Sequence, residues 1–188
     1  MSAEMPKPSP RIAALSGNKS VSNQTLLADF VQKRRADGLR IAGLFEVPEP
    51  GQGGACGRLS VVDIATGARI AISQNLGPGS TACNLDPQGV AEACAAAQRA
   101  IQAGADLVIL SKFGKLEAAR GGLCDAFAAA INAELPIVTT VNPVLRKDWT
   151  LFAGDLSDDV SASAEALEAW WSAARRASLV ERKVGAAA

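Results

Sequence analysis

The sequence predicts an α/β three-layer sandwich, a mainly parallel sheet flanked by helices, and three observations carry that expectation. Apolar runs at residues 11–16, 40–47, 106–110 and 136–141 have strand length rather than helix length. Between them stand amphipathic or Ala-rich stretches with cap-type residues before them and glycine stops after them. That alternation suits a parallel sheet, because consecutive parallel strands need a helix-length crossover. Once, around Ala65-Thr66-Gly67, two short alternating runs read instead as an inserted β-hairpin. At 188 residues the chain has the length of one domain with a sizeable core.

Taken in order, residues 1–10 hold three prolines and no periodicity and read as a disordered lead. A domain spanning 11–160 follows, with 161–188 as a C-terminal helix and tail. Arg11 to Ser16 opens the sheet and stops at Gly17-Asn18. Ser22-Asn23-Gln24 supplies caps for a helix from Thr25 to Asp37, which Gly38 ends, and Arg40 to Val47 completes a βαβ unit. After the Pro/Gly-rich loop Pro48 to Gly57 come the two hairpin strands, Arg58 to Asp63 and Arg69 to Ser73. On them Arg58, Asp63 and Arg69 read as a cross-strand charge cluster.

Beyond a loop carrying Gly77-Pro78-Gly79, Asp86 reads as a cap and Pro87 as the first turn of a helix that runs to Gly104. Asp106 to Leu110 is a buried strand, Ser111 to Gly122 a polar loop, Leu123 to Ala133 a helix and Pro136 to Val141 a strand. The last helix, Ser161 to Lys183, puts Leu167, Trp171 and Ala174 near one face with Trp170 beside it. That face packs on the domain or on a subunit.

Nineteen basic residues balance nineteen acidic ones, which argues against a long nucleic acid or an anionic membrane as the main partner. No apolar run reaches the roughly 20 residues of a spanning helix, and no signal-peptide core stands at the N-terminus, so the expected location is the cytoplasm. Histidine and tyrosine are both missing. Imidazole catalysis and His-ligated metal sites are thereby excluded. Of the four cysteines, Cys94 and Cys124 sit in Ala-rich helices as small core residues, while Cys56 and Cys83 lie in loops and face a ligand or each other.

In open α/β sheets ligands bind beyond the C-terminal ends of the strands, where helix N-termini favour anions. Three segments stand there: Ser16 to Ser20, Ser111 to Arg120, and Asn142 to Lys147. The first occupies the place of a phosphate-binding loop but lacks its spacing, since no second glycine precedes Lys19. An ordinary capped strand-to-helix turn accounts for it as well. The second begins as a Walker B strand would, with Leu107-Val-Ile-Leu, yet Ser111 stands where an acid would engage magnesium-bound water.

The runs Ser73-Gln-Asn-Leu-Gly-Pro-Gly79, Cys83-Asn-Leu-Asp-Pro87, Lys112-Phe-Gly-Lys-Leu-Glu117, Gly121-Gly-Leu-Cys-Asp125 and Ile137-Val-Thr-Thr-Val-Asn142 carry a family resemblance. On them the chain, from Arg11 to about Asp159, resembles a bacterial family of uncharacterised domains. That family is similar to a degenerate offshoot of the thermophilic nucleoside-triphosphatase group of P-loop proteins. The resemblance implies a P-loop-NTPase-like topology. The nucleoside-triphosphatase relatives carry a stretch similar to Asp-Glu-Ile-Gly-Lys-Met-Glu, so Gly114, Lys115 and Glu117 keep their places while Ser111-Lys112 replaces the acidic pair. Hydrolase activity does not follow from such a fold. The resemblance also implies a link to molybdate handling in some members.

The expected function is non-catalytic binding of a small anion, a molybdate- or tungstate-like oxyanion or the phosphate of a nucleotide. Gly17, Asn18, Lys19, Ser20, Lys112, Gly114, Lys115, Glu117 and Arg120 would bind it, with Glu117 orienting Lys115 by a salt bridge and with neither a catalytic residue nor a metal site. A solvated structural network of Lys115, Glu117 and Arg120 is the other description of those charges. Two further functions stay open. One is a divergent nucleoside-triphosphate hydrolase using Asp63, Glu46 or Glu117, and the other an adaptor or homo-oligomer contacting its partner through the Trp170-Trp171 helix.

Overall fold

A computed structural model of the chain describes residues 11–16, 20–48, 59–74 and 85–185. Its elements are β1 (Ile12–Ser16), α1 (Ser20–Ala36), β2 (Ile41–Pro48), β3 (Leu59–Asp63), β4 (Arg69–Ala71) and α2 (Pro87–Gln102). These are followed by β5 (Leu107–Phe113), α3 (Lys115–Ala118), α4 (Cys124–Asn132), β6 (Ile137–Val141), α5 (Arg146–Ala153), β7 (Ser157–Ser161) and α6 (Ala164–Gly185). The seven strands form one sheet in the order β4-β3-β2-β5-β6-β1-β7. From β2 to β7 all neighbours are parallel, and only the β2-β3-β4 meander at one edge is antiparallel.

The inner strands β1, β5 and β6 are buried along nearly their whole length because both of their faces are covered. Ile12 and Ala14 of β1 join Val108 and Leu110 of β5 in the core beneath α2, α4 and α5. Ala13 and Leu15 face the other way, with Leu107 and Ile109, into the core beneath α1 and α6. The connection through α1 leads from β1 toward one edge, whereas the later crossovers lead back toward the other. Right-handed crossovers running in opposite directions must lie on opposite faces, which gives the three-layer, P-loop-NTPase-like sandwich. Where those directions part, between β1 and β6, lies the topological switch point.

Gly43 marks how closely β2 and β5 meet. Its φ is +119°, and a Cβ there would stand 1.8 Å from the Ile109 carbonyl oxygen.

Several elements differ from expectation. β1 and β2 are not neighbours, since β5 and β6 lie between them. Helix α1 starts at Ser20 rather than Thr25, so Asn23 is a buried residue of its early turns and not a cap. β5 does not stop at Leu110 but runs on through Ser111 and Lys112 to Phe113. α5 and β7 had no sequence signal: the helix has eight residues, and the edge strand Ser157-Asp-Asp-Val-Ser161 buries only Val160. The cap at α2 is as expected, with Asp86 accepting the Gln88 N–H at 3.1 Å.

The tryptophans of α6 are core residues, at 7% exposure for Trp170 and 4% for Trp171, packed with Leu167 and with Phe30 of α1. They therefore offer no surface to a partner, and the adaptor reading through them is corrected. Asp63 likewise closes its own hairpin turn, accepting the Ala65 N–H at 3.0 Å and the Thr66 hydroxyl at 2.7 Å. Of the expected charge cluster, Asp63 is thus engaged by its own turn, and Arg58 lies outside the described residues. So do the lead Met1 to Pro10, the turn Gly17-Asn18-Lys19, and the loops holding Cys56, Gly77-Pro78-Gly79 and Cys83.

Candidate functional site

The C-terminal rim of the sheet is shaped by an irregularity in β5. Leu110 pairs with Thr139 and Phe113 with Val141, so β5 carries one residue more than β6 over this stretch. Such a bulge re-aims side chains and leaves backbone groups without ladder partners. Here the Ser111 carbonyl is taken by the Thr140 hydroxyl at 2.7 Å, and the Ser111 hydroxyl accepts the Glu46 N–H at 2.9 Å.

Lys112, the residue after Ser111, is brought against β2. The register Leu44 to Leu110 sets Glu46 beside it, and its ammonium donates to both Glu46 carboxylate oxygens at 2.8 and 2.9 Å. The acid is the recessed partner, at 11% side-chain exposure against 49% for the lysine. Lys112 is thus a paired cation, where the sequence suggested a free one. Pairing between strands 66 residues apart is invisible to sequence spacing.

The next turn is built around Glu117. Its carboxylate accepts the Gly114 N–H and the Leu123 N–H, each at 2.9 Å, and the residue is buried. Gly122, at φ +60°, leaves the space the carboxylate fills, because a Cβ there would stand 2.1 Å from Glu117 Oε1. Glu117 therefore spends itself on backbone, and the expected salt bridge to Lys115 is corrected. Lys115 is exposed at the first position of α3. Arg120 holds a left-handed φ of +65° and lays its guanidinium 5.7 Å over the Phe152 ring of α5.

Burial pushes the Cys124 thiol above its ordinary pKa, and the neighbouring Glu117 charge adds to the effect. Burial does the same to Cys94. Both are poor nucleophiles as a result.

Of the predicted site residues, the structure brings Lys112, Gly114 and Glu117 into one turn, with Lys115 at its mouth and Arg120 turned onto α5. Ser20 opens α1, and Gly17, Asn18 and Lys19 lie outside the described residues. In the third rim segment Asn142 caps the turn Pro143–Leu145, accepting the Val144 N–H at 3.0 Å, and Arg146 is ion-paired with Asp159. Sequence reasoning placed Glu46 only among the acids of a hydrolase. Its role as the partner of Lys112 needed the strand order.

Among the described residues near the end of β5, the carboxylates that could take magnesium with a nucleotide are already engaged. The ion takes carboxylate and water oxygens, but β5 ends in Ser111-Lys112, Glu46 is held by Lys112, and Glu117 by two N–H groups. Asp63 is spent on its turn. Among the described residues no group of three acids or cysteines is placed to hold a metal, and no helix is long and apolar enough to cross a membrane.

The family model described as "Protein of unknown function (DUF2478)" matches residues 12–170. Among curated proteins, the chain is 37% identical over 161 residues to "Molybdenum import ATP-binding protein ModC 2" of Bradyrhizobium diazoefficiens. The alignment covers 86% of this chain but 18% of that relative, so the chain spans less than a fifth of the curated protein it matches. No solved structure matches the chain significantly.

Proposed function

The chain belongs to the DUF2478 family, whose description gives no function, and from that premise we propose that it binds a small oxyanion without turning it over. The ligand is molybdate or tungstate, or alternatively the phosphate of a nucleotide taken without magnesium, and the setting is molybdenum handling in the cytoplasm. The binding surface is the C-terminal rim of the sheet, with Lys112 and Lys115 as its cations, the Gly114–Glu117 turn and Arg120 beside them, and Gly17, Asn18, Lys19 and Ser20 as the further residues the sequence nominates.

One observation carries the reading: the bulge in β5 presents a lysine at the rim where a hydrolase needs an acid, and the nearby carboxylates are already engaged. A cation in that place favours an anion over a metal ion. Helix α1 begins just beyond the end of β1 with no acidic residue in its first turn, a place where the helix dipole favours negative charge. The name of the Bradyrhizobium relative supports molybdate as the anion to try first.

The test is a thermal-shift titration of the full chain against molybdate, tungstate, sulfate, phosphate, ATP and GTP, each with and without magnesium. A magnesium-independent rise with one oxyanion, with affinity at least about tenfold weaker in Lys112→Ala, is expected. A rise that requires both nucleotide and magnesium would replace this reading with hydrolysis, and no rise with any of them would overturn it.

A further inference from the structure

Glu46 holds the ammonium that an incoming anion needs. Both its oxygens are on Lys112, and among the described residues no other side chain engages that carboxylate. We propose that Glu46 is the specificity-determining residue of the rim, a built-in counter-ion that an incoming anion must outcompete. Resting on the oxyanion reading above, this makes the site selective for doubly charged anions and closed to singly charged ones.

The pair has the asymmetry such a role requires. Glu46 is recessed, and its backbone is pinned by the hydrogen bond from its N–H to Ser111, so it stays in place. Lys112 is half exposed on a flexible four-carbon stem and can turn to a second acceptor. A carboxylate already sits on the ammonium with two good hydrogen bonds and no cost of association. A free monoanion offers Lys112 the same single charge and must still give up its translational freedom, so it loses. A dianion roughly doubles the Coulomb attraction at equal distance and dielectric, so it is the class of ligand able to compete.

Calorimetric titration of the full chain with molybdate and sulfate as dianions and with formate and nitrate as monoanions tests this. Wild type is expected to bind a dianion and neither monoanion. Glu46→Gln should bind the dianion at least about tenfold more tightly, equivalent to about 1.4 kcal/mol, and should admit formate. Adding Lys112→Met to Glu46→Gln should abolish both gains. Equal or weaker binding by Glu46→Gln, with wild type still binding, would overturn the role of Glu46 and leave the oxyanion reading standing. Absence of binding by both proteins would overturn the two together. Where Glu46→Gln does not fold, Glu46→Asp, which withdraws the carboxylate by one methylene, is expected to shift affinity in the same direction by a smaller factor, and no gain there would be equally decisive.

Discussion

Arg34 donates from Nη2 to both carboxylate oxygens of Glu168, at 3.0 and 3.2 Å, and so ties α1 to α6 across 134 residues of chain. The guanidinium is buried between aromatic rings, 4.9 Å above Phe30 and 5.8 Å from Trp171. Asp37 approaches it at 3.3 Å and Lys33 meets Glu168 from solvent at 3.0 Å. A buried charge thus lies where α1 meets α6, and Glu168 of α6 and Asp37 just beyond α1 neutralise it.

Removing one side of a buried pair leaves the other unpaired in a poor dielectric, at typically about 3 kcal/mol or more. Arg34→Ala is expected to lower the urea-unfolding free energy by about 3 kcal/mol. Glu168→Gln should cost less, because the amide still accepts a hydrogen bond and Asp37 still faces the guanidinium. A smaller loss for Arg34→Ala than for Glu168→Gln would show that the pair is not what holds α6.

Trp171 packs edge-on against Phe30 with ring centroids 6.2 Å apart. Trp171→Ala is expected to destabilise the chain by about 3–5 kcal/mol, the usual penalty for emptying a buried aromatic site. Its oligomeric state, read by light scattering in the folded range, should match wild type. Altered assembly at unchanged stability would return the helix to the role of a contact surface.

The Glu117 turn depends on a missing side chain. In Gly122→Ala the new methyl displaces a carboxylate that two N–H groups hold, and it also sits at positive φ. A loss of about 2–3 kcal/mol is expected from the freed donors together with the backbone strain. Hydrogen exchange at the Gly114 and Leu123 amides should rise in the variant. If both amides stay protected, the carboxylate is not what orders the turn.

Cys94 and Cys124 make stability depend on alkaline pH. Their thiol pKa values are raised in the folded chain, chiefly by burial. Above the unfolded value of about 8.5, the unfolded chain releases these protons while the folded chain keeps them, so stability falls as pH rises. It is fully present below that value and is lost as pH climbs through the folded one. The urea midpoint is expected to be lower at pH 9.5 than at pH 7.5, and less so in the Cys94→Ala, Cys124→Ala double variant. Identical pH slopes in the two proteins would remove the thiols as the cause.

What the sequence by itself determined are the features set by local chemistry. The alternation of apolar runs with Ala-rich stretches specified strands and helices, and Asp86-Pro87 specified the start of α2 because a cap acts within a few residues of itself. The family resemblance, carried by runs such as Lys112 to Glu117, led to the same sandwich. Segments with little local signal were not legible: α5 is short, and β7 is polar because an edge strand buries one residue in five.

Tertiary structure decided the charges. Lys112 reads in sequence as a free cation and Glu117 as its neighbour's partner. Strand order instead placed Glu46 on Lys112, and the folded turn gave Glu117 two backbone donors. It also turned the Trp170-Trp171 face inward onto α1. The physical reason is range. Periodicity and capping act between residues a few positions apart, whereas a charge is neutralised by whatever packing brings within about 3 Å, and over 66 or 134 residues only the completed sheet determines what that is.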